Sequence, residues 1–222
     1  MNLLIVVCTK AKTLEEFKSR PIYTSLHKQV EMNPNIDFKL FTNNSRGLSM
    51  CYNEVLKDPL NIDKTVLFVH DDLELNDLFL YEKLAESPYS ITGLAGAKSF
   101  NKLSDKLAWH LAAHKESYVG EVSHFKDGKV WTTVFGPTNS RALTLDGLFL
   151  AVRVKDTAEK ELFFDEDFAF HFYDLAFCLK ANEKHVKCGV CPIYVVHHGL
   201  GDSMLSVEWE TANQRFKTKY TL

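Results

Sequence analysis

Two adjacent carboxylates, Asp71 and Asp72, follow the apolar segment 66–69 and one histidine, His70. The segment is short enough to be one buried strand, and open α/β sheets bind ligands at the carboxyl ends of their strands. A hard cation such as Mg²⁺ or Mn²⁺ commonly binds through one or two carboxylates and the oxygens of a substrate diphosphate. Because Asp is also frequent in turns and helix caps, the pair indicates either a metal site or an ordinary acidic turn.

A further carboxylate, Asp146, precedes Gly147 inside the apolar segment 143–154. Glycine inside a strand indicates a bulge or a close approach of the backbone to another group, for which a sugar is one candidate. A simple irregularity of the strand would give the same pattern. The segment is therefore either part of a binding site or an irregular strand.

The Cys-x-x-Cys pattern from Cys188 to Cys191 is compatible with zinc or redox chemistry. Zinc needs four ligands, and redox pairs of this kind lie at the start of a helix, whereas this pair belongs to an apolar segment that predicts a strand. We interpret both residues as buried structural cysteines. Five cysteines without a secretory signal predict free thiols and a cytoplasmic location.

The composition favours one compact domain, because 45% of the 222 residues are hydrophobic and 25% are charged. A formal net charge of -3 lacks the basic footprint of a nucleic-acid-binding protein. The apolar segment 3–7 is much shorter than a membrane-spanning helix and has no signal-peptide flanks, so it predicts the first buried strand. We therefore expect no nucleic-acid partner and no transmembrane segment.

The elements that position these residues are predicted by alternating apolar and amphipathic segments, the pattern of βαβ units. Apolar segments predict strands over 3–8, 38–41, 65–69, 90–97, 143–154 and 190–196. Helical spacing and capping residues predict helices after Thr13, over 48–56, after an Asn76 cap, through Ala181 and over 206–219. The sequence therefore predicts an α/β fold with a mostly parallel central sheet and helices on both faces.

The alternation fails over residues 98–140, which we interpret as an insertion. Its Asp127-Gly128 turn predicts a hairpin of strands over 119–125 and 130–135. Aromatic side chains of the insertion can stack on a sugar ring or build a small satellite core; they are Trp109, His110, His114 and Trp131. The predicted organisation is one domain with four parts: 1–97, the insertion, a part over 141–204, and a C-terminal helix over 205–222.

Five separated blocks carry a resemblance to a known family. The blocks are Asn44 with Gly47, Leu48, Ser49 and Asn53; residues 68–72; residues 145–153; residues 164–166 with 170–174; and residues 196–199. In their order and spacing they resemble family 2-type glycosyltransferases of the GT-A fold, most closely the StrF-type glycosyltransferase-like family. The resemblance covers residues 3 to 201. The chain departs from it at Tyr52, Tyr173 and Ala176, where relatives carry Arg, Glu and an acidic residue.

The resemblance implies a GT-A (nucleotide-diphospho-sugar transferase) fold whose first part, 1–97, binds the nucleotide and whose part over 141–204 is the acceptor and catalytic half. It implies a hexosyltransferase-like enzyme of glycan biosynthesis that moves a sugar from a nucleotide diphosphate, such as a UDP-sugar, to a saccharide or other acceptor hydroxyl, with inversion. The departures leave a non-catalytic carbohydrate- or nucleotide-binding module as one alternative. A metal-dependent nucleotidyltransferase or phosphohydrolase is another, although it would need more basic residues near the acidic pair.

The metal expected for such chemistry is Mn²⁺ or Mg²⁺, which stabilises the departing diphosphate as a Lewis acid. Asp72 is the first candidate ligand, and His70 either coordinates the metal or forms a hydrogen bond. The resemblance places a further metal ligand at His197 or His198, although both are equally compatible with partly buried histidines at a strand end.

The general base is the second expected component, because the acceptor hydroxyl loses a proton as it attacks. The resemblance favours Asp174. On a helix, Asp167, His171 and Asp174 are spaced i, i+4 and i+7 and share one face, although an exposed polar stripe has the same spacing. Glu166 and His171 are the other catalytic candidates.

The nucleotide-sugar site is expected near the ends of the first two strands. The backbone groups of Cys8 and Thr9 can meet a uracil-like base, and Asn44, Arg46 and Asn53 can bind the base or the diphosphate. Asp71 is expected either to assist Asp72 at the metal or to contact the ribose, while Asp146 and Gly147 are expected at the sugar. No Walker-type or G-x-G-x-x-G loop is present, which argues against P-loop NTPases and dinucleotide dehydrogenases.

Overall fold

The computed structural model of the chain describes residues 1–199 and 206–220. Its strands in chain order are β1 (Asn2–Cys8), β2 (Ile36–Phe41), β3 (Lys64–His70), β4 (Leu73–Leu75), β5 (Ile91–Gly93), β6 (Ala95–Ala97), β7 (Tyr118–Lys126), β8 (Lys129–Val134), β9 (Ser140–Ala142), β10 (Thr144–Leu145), β11 (Phe149–Arg153), β12 (Cys188–Val190) and β13 (Val195–His197). Its α-helices are α1 (Leu14–Lys18), α2 (Ile22–Met32), α3 (Leu48–Leu56), α4 (Leu80–Glu86), α5 (Val154–Ala158), α6 (Tyr173–Glu183) and α7 (Val207–Tyr220).

The central sheet has the strand order β2-β1-β3-β11-β5-β12-β9. Strand β1 pairs in parallel with β2 and β3, and its residues 3–7 are buried. Such continuous apolar runs are typical of strands buried on both faces. Within the described residues, β9 and β11 run against the direction of the other strands of this sheet. The carboxyl ends of β1 and β3 consequently lie at one edge, as the sequence predicts.

A second sheet joins the insertion to the residues that follow β3. Its order is β10-β6-β7-β13-β4, and β8 pairs with β7. The hairpin of β7 and β8 forms as predicted, with Asp127 and Gly128 at φ 52° and 77°, the positive angles of a tight hairpin turn. Buried residues of the insertion, such as Leu107 and Val119, belong to the same apolar core as β1.

The helix predicted after an Asn76 cap exists, but its predicted start is wrong. Residues Leu73–Leu75 form β4 and pair with β13, and the helix begins only at Leu80. Asp77, rather than Asn76, accepts a hydrogen bond from the backbone of Phe79 at 2.9 Å. Strand β4 was not predicted, and Asn and Asp are both capping residues, so the adjacent Asn76 and Asp77 give the same sequence pattern.

Three predicted strands are interrupted. The prediction over 90–97 divides into β5 and β6, which belong to different sheets. The prediction over 143–154 divides into β10 and β11 at a turn that contains Asp146 and Gly147, and residue 154 begins α5. The prediction over 190–196 is broken after Val190, near Pro192, which has no backbone donor for a ladder. In each case continuous hydrophobicity reflects burial and not continuous pairing.

The helix predicted to carry Asp167, His171 and Asp174 on one face begins only at Tyr173. Phe172 has a left-handed φ of 65°, which ends any helical continuity with the preceding residues. The common helical face is therefore a wrong prediction. The preceding segment is fixed instead by α3, whose Leu48 backbone amide donates to the carbonyl of Ala169 at 2.6 Å.

The C-terminal helix α7 is less exposed than its polar composition predicts, since it buries Trp209, Asn213 and Phe216. The Asn213 side chain accepts a hydrogen bond from Leu107 and donates one to Asp105, which ties α7 to the insertion. The proposed boundary at residue 204 lies outside the described residues. In the described ranges no helix has the length and apolarity that crossing a bilayer requires. All five cysteines are free, and Cys188 and Cys191 are buried as predicted.

Candidate functional site

A cavity of about 770 Å³ opens where both sheets, the turn after β10, the start of α6 and the insertion meet. It gathers predicted site residues that lie far apart in the chain: His70, Asp72, Asp146, Gly147, His171, Asp174 and His197. Trp109, His110 and Trp131 of the insertion line it too, whereas His114 does not. The cavity is therefore the candidate active site.

Asp72 and His197 meet at one end of this cavity. Strand β13 pairs with β4 so that the His198 amide donates to the Asp72 carbonyl at 2.9 Å, and His197 Nε2 lies 3.3 Å from Asp72 Oδ2. Burial opposes ionisation of Asp72, but the hydrogen bond from His197 lowers its pKa below the usual value. The carboxylate is consequently ionised at neutral pH.

The space beside this pair depends on Gly199. An added Cβ at Gly199 would lie 2.5 Å from Asp72 Oδ2 and 2.7 Å from His197 Nε2, both closer than real contacts allow. Asp72 Oδ1 is buried and has no hydrogen-bond partner. An unpaired carboxylate oxygen, an imidazole and open space fit a divalent cation. No group of three metal-ligating side chains occurs within the described ranges, so substrate oxygens and water would complete such a site.

His198 points away from Asp72. Neighbouring side chains of a strand face opposite sides, and His198 Nε2 lies 2.7 Å from Glu74 Oε1. Its ring packs beside Phe125. Of the two late histidines, the structure brings only His197 to the acidic pair.

His70 is held by Tyr173 through its Nε2 atom. The Tyr173 hydroxyl has one proton and donates it to the Gly147 carbonyl at 2.8 Å. It must therefore accept from His70 Nε2, which lies 2.9 Å away. Burial lowers the pKa of His70 and keeps the ring neutral. Nε2 is thus a fixed donor, which leaves Nδ1 as the ring's free nitrogen.

Asp174 lies in the first turn of α6 and lines the same cavity as Asp72. Its two oxygens accept from the backbone amides of Gly147 and Leu175, each at 2.9 Å. Burial and then the negative charge of Asp146 raise the pKa of Asp174 to about 7. A carboxylate with this pKa can both accept and release a proton near neutral pH.

Asp146 is positioned by the insertion, because Trp109 Nε1 donates to its Oδ2 at 2.8 Å and the Leu148 amide donates to Oδ1 at 3.1 Å. The position of Tyr173 explains why the next residue, Gly147, has no side chain. An added Cβ at Gly147 would lie 2.4 Å from the Tyr173 hydroxyl. The predicted close approach at Gly147 is therefore made to a tyrosine of the protein.

We expect Tyr173→Phe to destabilise the fold. The substitution leaves the Gly147 carbonyl and His70 Nε2 without their partner, and an unsatisfied buried polar group costs about 1–3 kcal/mol. Urea unfolding should show this loss. Tyr23→Phe is the matched control, since its ring packs on Phe17 and its hydroxyl makes no hydrogen bond in the described part of the chain. Equal stability of the two variants would contradict the role of the Tyr173 hydroxyl.

The predicted nucleotide residues lie at the adjacent edge of the sheet, outside the cavity lining. Asp71 accepts from the Thr9 hydroxyl at 2.6 Å and forms a two-point ion pair with Arg20, at 2.8 Å for each contact. Arg20 was not identified from sequence, because nothing in its local pattern links it to a residue so distant. This edge combines a carboxylate, a hydroxyl and a guanidinium.

Some backbone groups that were predicted to contact the base already form hydrogen bonds within the protein. The Thr9 amide donates to the Phe41 carbonyl and its own carbonyl accepts from Asn44, so the Thr9 backbone is not a free recognition pair. Cys8 is half-buried beside Cys51. Asn44 turns the chain by accepting from the amide of Arg46.

Arg46 is exposed at the same edge, where it pairs with Glu54 at 3.0 Å and lies over the ring of Phe41. A guanidinium held between a carboxylate and an aromatic face is pre-oriented at a surface open to a ligand. Of the predicted nucleotide residues, the structure therefore leaves the Arg46 side chain the most accessible.

Asn53 and Glu166 are not brought to the cavity. The buried Asn53 amide bonds both backbone groups of Phe164, at 2.9 and 3.0 Å, and donates to Glu166 at 2.8 Å. Glu166 is exposed and lies 3.9 Å from Lys57. Both side chains thereby fasten α3 to the segment before α6, which is a structural task.

His171 lines the cavity although it precedes the helix, and burial lowers its pKa. Sequence reasoning missed several further lining residues: Tyr118, Val122, His124, Phe170 and Trp209. The sequence could have indicated His124, because a two-residue turn at Asp127-Gly128 places it opposite Trp131 in the hairpin. For Trp209 no signal exists, because α7 reaches the cavity only through tertiary packing.

No known protein family matches the sequence, and no curated protein sequence matches it either. Residues 1–349 of TarS from S. aureus resemble this structure with a TM-score of 0.50 and 16% identity, over 89% of this chain and 60% of that chain. A longer TarS structure gives a TM-score of 0.51 and 18% identity, over 90% and 37%. A197 from STIV gives a TM-score of 0.48 and 11% identity, over 86% and 82%.

The TarS structures establish the fold of this chain, which is a GT-A-like α/β fold as the sequence predicts. The chain corresponds to 60% or less of either TarS chain. Identities this low establish architecture alone, because function resides in particular site residues. The narrower resemblance to StrF-type proteins finds no supporting family match.

Proposed function

We propose that the protein is a glycosyltransferase that moves a sugar from a nucleotide diphosphate, such as a UDP-sugar, to an acceptor hydroxyl with inversion. One observation carries the proposal: Asp174, with a pKa of about 7, lies in one cavity with the ionised Asp72 at the ligand-binding edge of a GT-A-like fold. Perturbed carboxylates in a cavity favour catalysis over passive binding.

Asp174 acts as the general base. The acceptor oxygen forms a bond to the anomeric carbon, the bond from that carbon to the diphosphate breaks, and the hydroxyl proton passes to Asp174. A single displacement of this kind inverts the configuration. A base with a pKa near the working pH is effective because it is largely ionised and still basic enough to accept the proton.

Asp72 and His197 would hold the divalent cation, Mn²⁺ or Mg²⁺, in the space that Gly199 leaves open. The bound cation would supply Lewis-acid stabilisation of the departing diphosphate. Arg46 and the group formed by Thr9, Arg20 and Asp71 would receive the nucleoside. The five free thiols suit an enzyme of the cytoplasm.

Asp72→Ala tests this proposal in a calorimetric titration with UDP and MnCl₂. We expect wild-type protein to bind UDP more tightly with Mn²⁺ than without it, and the variant to lose at least about tenfold in affinity. Asp63→Asn is the matched control, because it removes an exposed carboxylate at the other end of β3. Metal-independent or undetectable binding by wild-type protein would reject the proposal.

A further inference from the structure

The β7–β8 hairpin turns an aromatic face into the cavity. Trp131, Thr133 and Phe135 alternate along one face and line the cavity, whereas Val134 lies between them on the other face. Trp131 is 42% exposed, a large fraction for an aromatic side chain at the wall of a cavity. An exposed tryptophan that borders a cavity is typical of a binding surface.

The indole is pre-oriented by His124 of the paired strand. The two rings stack with centroids 5.5 Å apart and planes inclined by 28°. The register Ser123↔Thr132 and His124↔Trp131 fixes their positions, and a Ser123–Thr132 hydrogen bond of 2.8 Å locks the neighbouring pair. One face of the indole is therefore supported, while the other is open to a ligand.

The stacked rings of Trp131 and His124, called the aromatic platform below, lie close to the Asp72–His197 pair. The His124 ring lies 5.8 Å from that of His197, which contacts Asp72. Imidazole and hydroxyl groups that can donate or accept hydrogen bonds therefore border the aromatic surface. No Lys or Arg occurs among the cavity-lining residues that the structure describes. The described lining therefore has no lysine or arginine charge to pair with a phosphate or a carboxylate of an acceptor.

We propose that the acceptor is a neutral saccharide, at least a disaccharide, with one sugar ring stacked on the open face of Trp131. A pyranose ring has an apolar C–H face and a rim of hydroxyl groups, and it matches an aromatic ring bordered by imidazole and hydroxyl side chains. The second ring would extend from Trp131 past His124 into the cavity that Asp174 also lines. This inference rests on the proposed function, because it names the acceptor of that reaction.

The test uses ¹⁵N-labelled protein and a panel of neutral disaccharides: cellobiose, maltose, lactose and N,N′-diacetylchitobiose. The indole N–H signal of Trp131 is assigned from the spectrum of Trp131→Phe. We expect at least one disaccharide to shift this signal. Trp131→Ala should weaken its binding about tenfold, whereas Trp131→Phe, which keeps an aromatic ring, should retain most of the affinity.

Val134→Ala is the matched control, because Val134 lies on the same strand, is 67% exposed and faces away from the cavity. It should bind the disaccharide as wild-type protein does. Absence of a Trp131 shift with every disaccharide would overturn the inference, as would equal binding by Trp131→Ala. A dimer that dissociates in Trp131→Ala, without saccharide binding, would also overturn it and assign the exposed edge of β8 to self-association.

The outcomes separate this inference from the proposed function. Saccharide binding without Mn²⁺-dependent UDP binding would support the aromatic platform at Trp131 and contradict the proposed glycosyltransferase function. Mn²⁺-dependent UDP binding without a Trp131 shift would retain the transferase and reject the saccharide platform. A shift of the Trp131 signal by UDP alone would assign the platform to the nucleotide and overturn the inference.

Discussion

Asp174→Asn should lower the rate of sugar transfer by roughly a hundred- to ten-thousand-fold, the usual contribution of a positioned general base. The amide keeps the shape of the side chain, and its oxygen can still accept from the Gly147 backbone. Because Asp174 is hydrogen-bonded to Gly147 and Leu175 and makes no contact with the Asp72–His197 pair in the described residues, affinity for UDP with Mn²⁺ should stay within about threefold of wild type. Steady-state kinetics and calorimetry measure the two effects separately.

The pH profile of the wild-type enzyme should report the same residue. Asp174 is active only when ionised, and burial together with the charge of Asp146 raises its pKa to about 7. Transfer should therefore increase with pH through about 7 and then level off. A profile that levels off near the ordinary Asp value of 3.8 would contradict Asp174 as the base.

Stability supplies an independent check of that pKa. A carboxyl whose pKa is raised on folding holds a proton in the folded state that the unfolded state has released, so stability falls as pH increases between the two values. Asp174→Asn removes this dependence. Its stability relative to wild type should increase by on the order of 2 kcal/mol from about pH 5 to about pH 8, after allowance for screening of a partly exposed group.

The parts of the fold that sequence predicts are those whose pattern is local. Residues 3–7 form a continuous apolar run, and Asp127-Gly128 permits a tight hairpin turn, so β1 and the β7–β8 hairpin follow from sequence directly. The interruptions of the predicted strands at residue 94 and around Asp146 do not follow from any local sequence pattern. They depend on which strand pairs with which, and burial keeps both sides of each break apolar.

The candidate site depends on pairings that no local pattern contains. His197 reaches Asp72 because β13 pairs with β4, a short strand that the sequence did not predict. The sequence could not distinguish His197 from His198, since that choice depends on which strand face meets Asp72. Arg20 reaches Asp71 from the end of α1 through tertiary packing alone.

Gly199→Ala should reduce Mn²⁺-dependent UDP binding by about tenfold or more without unfolding the protein. The new methyl group would lie 2.5 Å from Asp72 Oδ2 and 2.7 Å from His197 Nε2, so at least one of these two side chains must move. Displacement of a ligand or its oriented partner typically costs 10–100-fold in metal affinity. Gly199 does not have a left-handed φ, so alanine introduces no backbone strain there.

His198→Ala is the matched control for Gly199→Ala, since it alters the adjacent residue on the face that contacts Glu74. It should leave Mn²⁺-dependent UDP binding unchanged in calorimetry, and thermal unfolding without ligand should show both variants folded. The pair of variants decides between the two histidines. If His198→Ala lost metal-dependent binding and Gly199→Ala kept it, the cation would lie on the Glu74 side of β13, and Asp72 would need another role.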